Sequence, residues 1–382
     1  MGRYGTPRRI CGLVVATLLA AGCGAAREDT LVVGVVDDAA RSDYSNGFLH
    51  ELTTSGFDAL AVSSVWEPGE TAPDRTETDV LRRVAAAAHA ADVRLFVAIY
   101  QLGSATTPLT AEARSAFAAY AAAVATKVPS VSDLIIGNEP NLNRFWLPQF
   151  GSGGENVSAA AYLRLLGSTY DAVKAARDDV RIWGGATAPR GSDRPGADRA
   201  TISPTAFIRA LGVAYRQSGR TRPVMDGFVH HPYPESATVP IDLRHPRVKT
   251  IGLADYGKLE RLLSEAFDGT AQEGSALPIL YGEIGVETAI PTAKEPLYNG
   301  DEITATTSEH RQGAAYRRTL ELAACQPHVV GVLFFHLRDE PTLTGWQSGV
   351  RYADGTAKQS LASVRGAAAS AQNGDFETRC PS

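Results

Sequence analysis

Two glutamates close apolar runs of this chain: Glu139 in Leu134-Ile-Ile-Gly-Asn138-Glu139-Pro140-Asn141, and Glu283 in Ile279-Leu-Tyr-Gly-Glu283-Ile-Gly. Two carboxylates held about 5 Å apart can break a glycosidic bond by double displacement, one as nucleophile and the other as proton donor and acceptor. In that chemistry Glu139 would protonate the leaving oxygen, and burial beside a second carboxylate would raise its pKa and keep the proton in place near neutrality. Glu283 would stay ionised and attack the anomeric carbon. Pro140 bars a strand from continuing as a paired ladder and Gly282 permits close backbone approach, so both carboxyls are expected at strand ends. Glu287, past Gly285, reads as a loop residue suited to a substrate contact or an ion pair. The plainer alternative for Glu139 is a strand-end carboxylate that caps a helix.

Other residue types support the same chemistry. Asn138 is placed to hydrogen-bond a sugar hydroxyl next to the reacting carbon. In Phe228-Val-His230-His231-Pro232-Tyr233 the adjacent histidines project to opposite faces of a strand and cannot easily share one ion, so no metal site is expected. Trp66, Tyr100, Trp146, Phe335, His336 and Trp346 lie near other run ends and are candidates for a platform on which a sugar ring rests. Asp37 and Asp38 could bind a hydroxyl or cap the next helix. Gly151-Ser-Gly-Gly154 lacks the Lys-Ser/Thr of a phosphate loop.

The elements that must position these groups are legible as alternating periodicities. Short runs rich in Val, Ile, Leu and Phe cover 31–36, 57–62, 93–99, 134–136, 180–183, 227–230, 279–281 and 329–335, as expected of strands buried on both faces of a parallel sheet. Between them, apolar residues at three- and four-residue spacing predict helices over 46–55, 76–91, 110–127, 158–177, 203–217, 253–267, 308–324 and 358–370. Eight alternations favour an α/β fold of the (β/α)8 barrel type in one domain, with an open doubly wound sheet as the alternative. A bare barrel takes about 250 residues, so the surplus sits in the loops 142–157, 188–202, 232–252 and 285–307. All four follow strands, which places a deep cleft on the face where barrels keep their chemistry.

On these motifs the chain resembles the clan A retaining glycoside hydrolases, cellulase-like and β-xylosidase-like barrels. Asn138-Glu139-Pro140 is similar to their fourth-strand signature, Gly282-Glu283 to their seventh-strand end, and His231-x-Tyr233 to residues of their sixth strand. The resemblance implies that the Tyr233 hydroxyl touches the nucleophile and that His231 lines the cleft. It departs where many clan members carry an Arg closing the second strand and a Trp closing the eighth: here the stretches read Ala61-Val-Ser-Ser-Val65-Trp66 and Phe334-Phe335-His336-Leu337. The stretch from Trp346 to Lys358 is similar to the loop after the eighth strand of such hydrolases.

Arg3, Arg8 and Arg9 precede an apolar stretch ending at Gly22-Cys23, the pattern of an export signal over 1–22. Leu19-Ala-Ala-Gly-Cys23 resembles a lipobox, which implies a lipoprotein acylated at Cys23, a short tether over 23–30 and a catalytic barrel over 31–382. The expected location is the outer face of the cytoplasmic membrane, or free secretion if an ordinary signal peptidase cuts. The net charge is −5, and loss of the signal removes three arginines and no acid. No basic run could serve as a nucleic-acid footprint, and a polyanionic partner is not expected. Cys11 leaves with the signal and Cys23 is committed, so Cys325 and Cys380 are expected to pair in an oxidising compartment. Their loop of about 55 residues would add roughly 4 kcal/mol of stability in the chain-entropy model.

The sequence therefore leads to a retaining glycoside hydrolase that needs no cofactor, takes a carbohydrate substrate, meets a membrane only through its lipid anchor and acts as a monomer. Two alternatives stand beside it. One is a surface barrel that binds glycan without cleaving it, which has no reason to bury two like charges together. The other is a transglycosylase using the same glutamates.

Overall fold

The computed structural model describes residues 1–2, 30–42, 44–376 and 380, so the expected signal segment, Cys23 and most of the tether lie outside the described residues. Each apolar run becomes a strand: β1 (Val32–Val36), β2 (Ala59–Trp66), β3 (Arg94–Gln101), β4 (Asp133–Ile136), β5 (Arg181–Thr187), β6 (Gly227–His230), β7 (Ile279–Ile284) and β8 (Val329–Phe335). The helices between them are α1 (Ser45–Thr54), α2 (Arg75–Ala90), α3 (Ala111–Lys127), α4 (Ser158–Ala176), α5 (Pro204–Gln217), α6 (Tyr256–Phe267), α7 (Glu309–Ala324) and α8 (Ser360–Gln372). Side-chain oxygens start four of them: Asp74, Thr110, Ser203 and Ser308 each accept a backbone N–H three residues on. The strands pair in parallel in sequence order and β8 closes on β1, which makes the (β/α)8 barrel.

Strand parity divides the core in two. Ala59, Ala61, Phe96, Ile135, Trp183, Val229, Leu280 and Leu333 fill the barrel interior. The alternate residues, Leu60, Val62, Val97, Ile136, Ile182, Phe228 and Phe334 among them, pack outward against the helices. Trp66 shares the outward parity of Leu60 and Val62, so it packs edge-on against Phe117 at 5.5 Å and is only 1% exposed. Its indole N–H donates to the Glu70 carbonyl at 2.8 Å. That placement corrects the expectation of a sugar-facing ring, because a residue at an odd step from the interior Ala61 cannot turn inward without a bulge.

Register shifts do change parity. The register slips between Gly184 and Thr187, and Ala186 joins Trp183 in the interior although they stand three positions apart. Between β7 and β8 it slips between Ile279 and Leu280 and again between Tyr281 and Ile284, the stretch that holds Glu283. Cys325 and Cys380 are disulfide-bonded with Cα atoms 5.3 Å apart, tying the end of α7 to the C-terminal segment.

At the strand-start end of the barrel, opposite the loops that carry the chemistry, Asp133 is fully buried. It accepts from Arg94 at 2.8 Å, Arg181 at 3.0 Å and the Trp183 indole at 2.8 Å. Burial alone would raise its pKa, but these donors, Arg94 foremost, hold it below the ordinary value. Replacing Asp133 by Asn should cost roughly 3 kcal/mol, the low end for breaking a buried pair because the arginines keep some access to water. A depressed folded-state pKa means the contribution is full above the unfolded carboxyl range, about pH 4, and fades as pH falls through the depressed value. Urea unfolding of wild type and variant at neutral pH and in acid should show the gap closing as the solution is acidified.

Candidate active site

The β4 end is shaped so that Glu139 can face the barrel mouth. Gly137 has φ +83, and a Cβ there would lie 2.9 Å from the Tyr162 ring. Tyr162 holds the strand end itself, donating to the Ile136 carbonyl at 2.6 Å and accepting the Gly185 N–H at 2.9 Å. Glu139 then adopts φ +40, a conformation rare for a residue with a side chain, and its N–H donates to the Ala186 carbonyl at 2.8 Å. The β5 bulge thus supplies the acceptor that fixes Glu139. Two residues on, the fully buried Asn141 accepts from Ala188 N at 2.9 Å and donates to the Ile202 carbonyl at 3.0 Å, stitching the loop after β4 to the loop after β5.

On the other side of the mouth, Gly282 is needed because a Cβ would fall 2.4 Å from Val229 and 3.2 Å from the His231 imidazole. The adjacent histidines of β6 part as strand geometry requires. His230 turns outward, bonded to the Thr187 hydroxyl and the Ile251 carbonyl at 2.9 Å each, and burial draws its pKa down to about 4. His231 turns inward and meets both glutamates.

Nδ1 of His231 lies 3.2 Å from Glu139 Oε1 and 3.6 Å from Glu283 Oε2. The two carboxylates therefore share one imidazole, and their nearest oxygens cannot be farther apart than those two distances laid end to end. The Tyr233 hydroxyl donates to Glu283 Oε2 at 3.1 Å. Burial raises the Glu283 pKa and the charge of Glu139 adds to the rise, while His231 and the Tyr233 hydrogen bond oppose it. Burial works against the His231 cation, yet Glu283 and Glu139 together raise its pKa above the ordinary value. Tyr233 is pushed far up by burial and by the same carboxylates, which keeps its hydroxyl a donor. Protons here belong to the cluster of His231 and the two carboxyls.

These groups stand in a cavity of about 1350 Å³ at the strand-end face of the barrel, which Asn138 also lines. Tyr233, Phe335 and Trp346 form an aromatic wall, with ring centroids 5.1 Å apart for Tyr233 and Trp346 and 5.4 Å for Phe335 and Trp346. His336 donates from Nδ1 to the Val36 carbonyl at 2.6 Å and has Nε2 3.7 Å from Glu340. Asp37 caps the turn after β1 through Ala39 N at 2.9 Å and accepts from Leu337 N at 3.1 Å, and Asp38 accepts from Ser63 N at 2.7 Å, so both carboxyls bind backbone. Trp346 belongs to the loop after β8. That loop is anchored by the buried Lys358, which donates to Asp339 at 2.7 Å, Thr288 at 2.7 Å and the Gln347 carbonyl at 2.9 Å.

The structure thus brings together Glu139, Glu283, Asn138, His231, Tyr233, His336 and Trp346, and leaves Trp66 outside. Trp146 is also outside, 1% exposed and packed edge-on against Tyr162 at 5.7 Å. Glu287 lines the cavity without an ion pair, and burial raises its pKa. Among the described residues, no group of three or more His, Cys, Asp or Glu side chains is arranged to hold a metal ion, and no helix is long and apolar enough to cross a membrane. Sequence reasoning missed Asn141 and three cavity arginines, Arg144, Arg190 and Arg199. The arginines are scattered along the chain, and only loop packing collects them.

The closed parallel barrel is similar to solved structures of glycoside hydrolases. The chain is similar to a family 39 glycoside hydrolase from the gut symbiont Bacteroides cellulosilyticus WH2, with a TM-score of 0.62, 19% identity, and 90% of this chain matched to 64% of that one. It is similar to GH5_18 from Streptomyces cattleya in complex with GlcNAc at a TM-score of 0.59 and 14% identity, covering 93% of this chain and 82% of that one. A Bacteroidetes-affiliated GH5 cellulase linked with a polysaccharide utilization locus aligns at a TM-score of 0.56 and 14% identity over 91% and 94% of the two chains. No protein-family model and no curated protein sequence matches the chain. At these identities the likeness establishes the fold, and the chemistry must be argued from the side chains.

Replacing Tyr233 by Phe removes a hydrogen bond that favours the Glu283 carboxylate. Its titration midpoint, followed by NMR of ¹³C-labelled glutamate carboxyls, should move to higher pH in the variant.

Proposed function

We propose that the protein is a retaining glycoside hydrolase. The reading rests chiefly on one observation: a single imidazole nitrogen sits 3.2 Å from the β4 carboxylate and 3.6 Å from the β7 carboxylate. A separation bounded in this way admits the roughly 5 Å spacing of double displacement and shuts out all but the lower edge of the wider spacing that single displacement needs.

In the first step the Glu283 carboxylate attacks the anomeric carbon while Glu139 gives its proton to the departing glycosidic oxygen. The bond from carbon to the leaving oxygen breaks as the ester to Glu283 forms. In the second step Glu139 takes a proton from water, whose oxygen displaces Glu283 and restores both carboxyls. Tyr233 holds the attacking oxygen by its hydrogen bond. His231 supplies positive charge between two groups that would otherwise repel, and Asn138 is positioned to bond the neighbouring sugar hydroxyl. Trp346 and Phe335 offer apolar faces to the ring. Export as a lipoprotein acylated at Cys23 belongs to the same proposal and rests on the N-terminal sequence pattern.

Glu139→Gln and Glu283→Gln should each lower kcat at least about 100-fold on an aryl glycoside that the wild type cleaves. NMR of the first product should show the anomer of the substrate, and azide should restore turnover to Glu283→Gly with the inverted product. Full activity in both Gln variants would remove the hydrolase reading, and glycan binding without product would favour a binding barrel.

A further inference from the structure

The chain carries an excess of acid, yet the cleft wall beside Glu139 is cationic. Arg144 and Arg199 are exposed in the loops after β4 and β5, Arg190 is half-buried, and all three line the cavity. None of them forms an ion pair with a described carboxylate. Elsewhere around the cavity Arg338 pairs with Glu51 and Lys358 with Asp339, whereas Glu287, Asp37 and Asp38 have no ion pair among the described residues.

The packing explains how the arginines gather. The Ile202 N–H donates to the Asn141 carbonyl at 2.9 Å, and the Asn141 side chain returns a bond to the Ile202 carbonyl at 3.0 Å. Arg144 follows one side of this junction by three residues and Arg199 precedes the other by three. Arg190 is held by two backbone carbonyls, those of Tyr233 at 3.0 Å and Pro234 at 3.2 Å. Neutral acceptors orient its guanidinium without cancelling its charge, and its remaining N–H groups stay free for a ligand. Burial works against the Arg190 cation, and the charges of Glu235 and then Glu139 favour it without a direct ion pair among the described residues.

We infer that the wall formed by Arg144, Arg190 and Arg199 binds an anionic substituent, a carboxylate or a sulfate ester, on the leaving-group side of the saccharide. The side follows from the proposed hydrolase reading: Glu139 must face the leaving oxygen, and Arg144 and Arg199 stand on the loops after β4 and β5, the strands that carry and fix Glu139. The anion preference follows from the arginines alone, since planar guanidinium forks match carboxylate and sulfate oxygens in pairs. The absence of a basic run in the sequence argues against a polyanion; three unpaired arginines on one wall fit one or two anionic groups.

The test titrates the full chain with glucuronate, with inorganic sulfate and with glucose at low ionic strength, by calorimetry or NMR. Wild type should hold glucuronate or sulfate at least about tenfold more tightly than the Arg144→Gln/Arg199→Gln double variant, as loss of charge-assisted hydrogen bonds requires. Arg144→Lys/Arg199→Lys should retain part of the affinity, because the charge survives without the fork. Binding of glucuronate alone assigns the group to a uronic acid, and binding of sulfate alone assigns it to a sulfate ester. Equal affinity in wild type and Gln variant, or no binding by either, overturns the inference. The titration uses no turnover, so it fails independently of the Glu139 and Glu283 experiments.

Discussion

Two carboxylates in one buried pocket repel each other, and the local structure is arranged around that fact. His231 stands between them, its Nδ1 facing both. Its position depends on β6 parity, which sends His230 outward and His231 inward, and on the missing side chain at Gly282, which leaves room for the imidazole. Glu139 and Glu283 are reached differently. One sits past a left-handed glycine with its backbone bonded to the β5 bulge; the other is turned inward by a register slip in its own strand. Irregular backbone at the strand ends is what lets a regular barrel aim these groups at one another.

The barrel was legible because its signals are redundant. Continuous apolar runs, helical spacing and starts such as Ser203-Pro204 agree on every element. The carboxylates were legible because a proline or a glycine punctuates the strand beside each. What was not legible depends on the fine geometry of the strands. Trp66 looked like a platform residue only because its parity could not be counted from a strand whose inward face was unknown. The balance of burial, hydrogen bonds and neighbouring charges at Glu283 exists only in three dimensions.

Charge offers a related lesson. Net acidity is a property of the whole chain, whereas recognition depends on the few charges left uncompensated in a cavity. Arg338 and Asp339 at this cleft are paired within the protein, so the unpaired arginines and carboxyls set its field. Asn141, an uncharged residue with no chemistry of its own, brings the loops carrying Arg144 and Arg199 together.

Of the rings at the cleft wall, Phe335 ends β8 itself, whereas Trp346 stands in a loop pinned by the buried ammonium of Lys358. A ring borne by a strand is bound to the stagger of the whole barrel and cannot move without disturbing its closure. A ring borne by a tethered loop answers to loop length and one buried anchor. Insertion and deletion can therefore reshape this wall of the cavity while the barrel stays untouched.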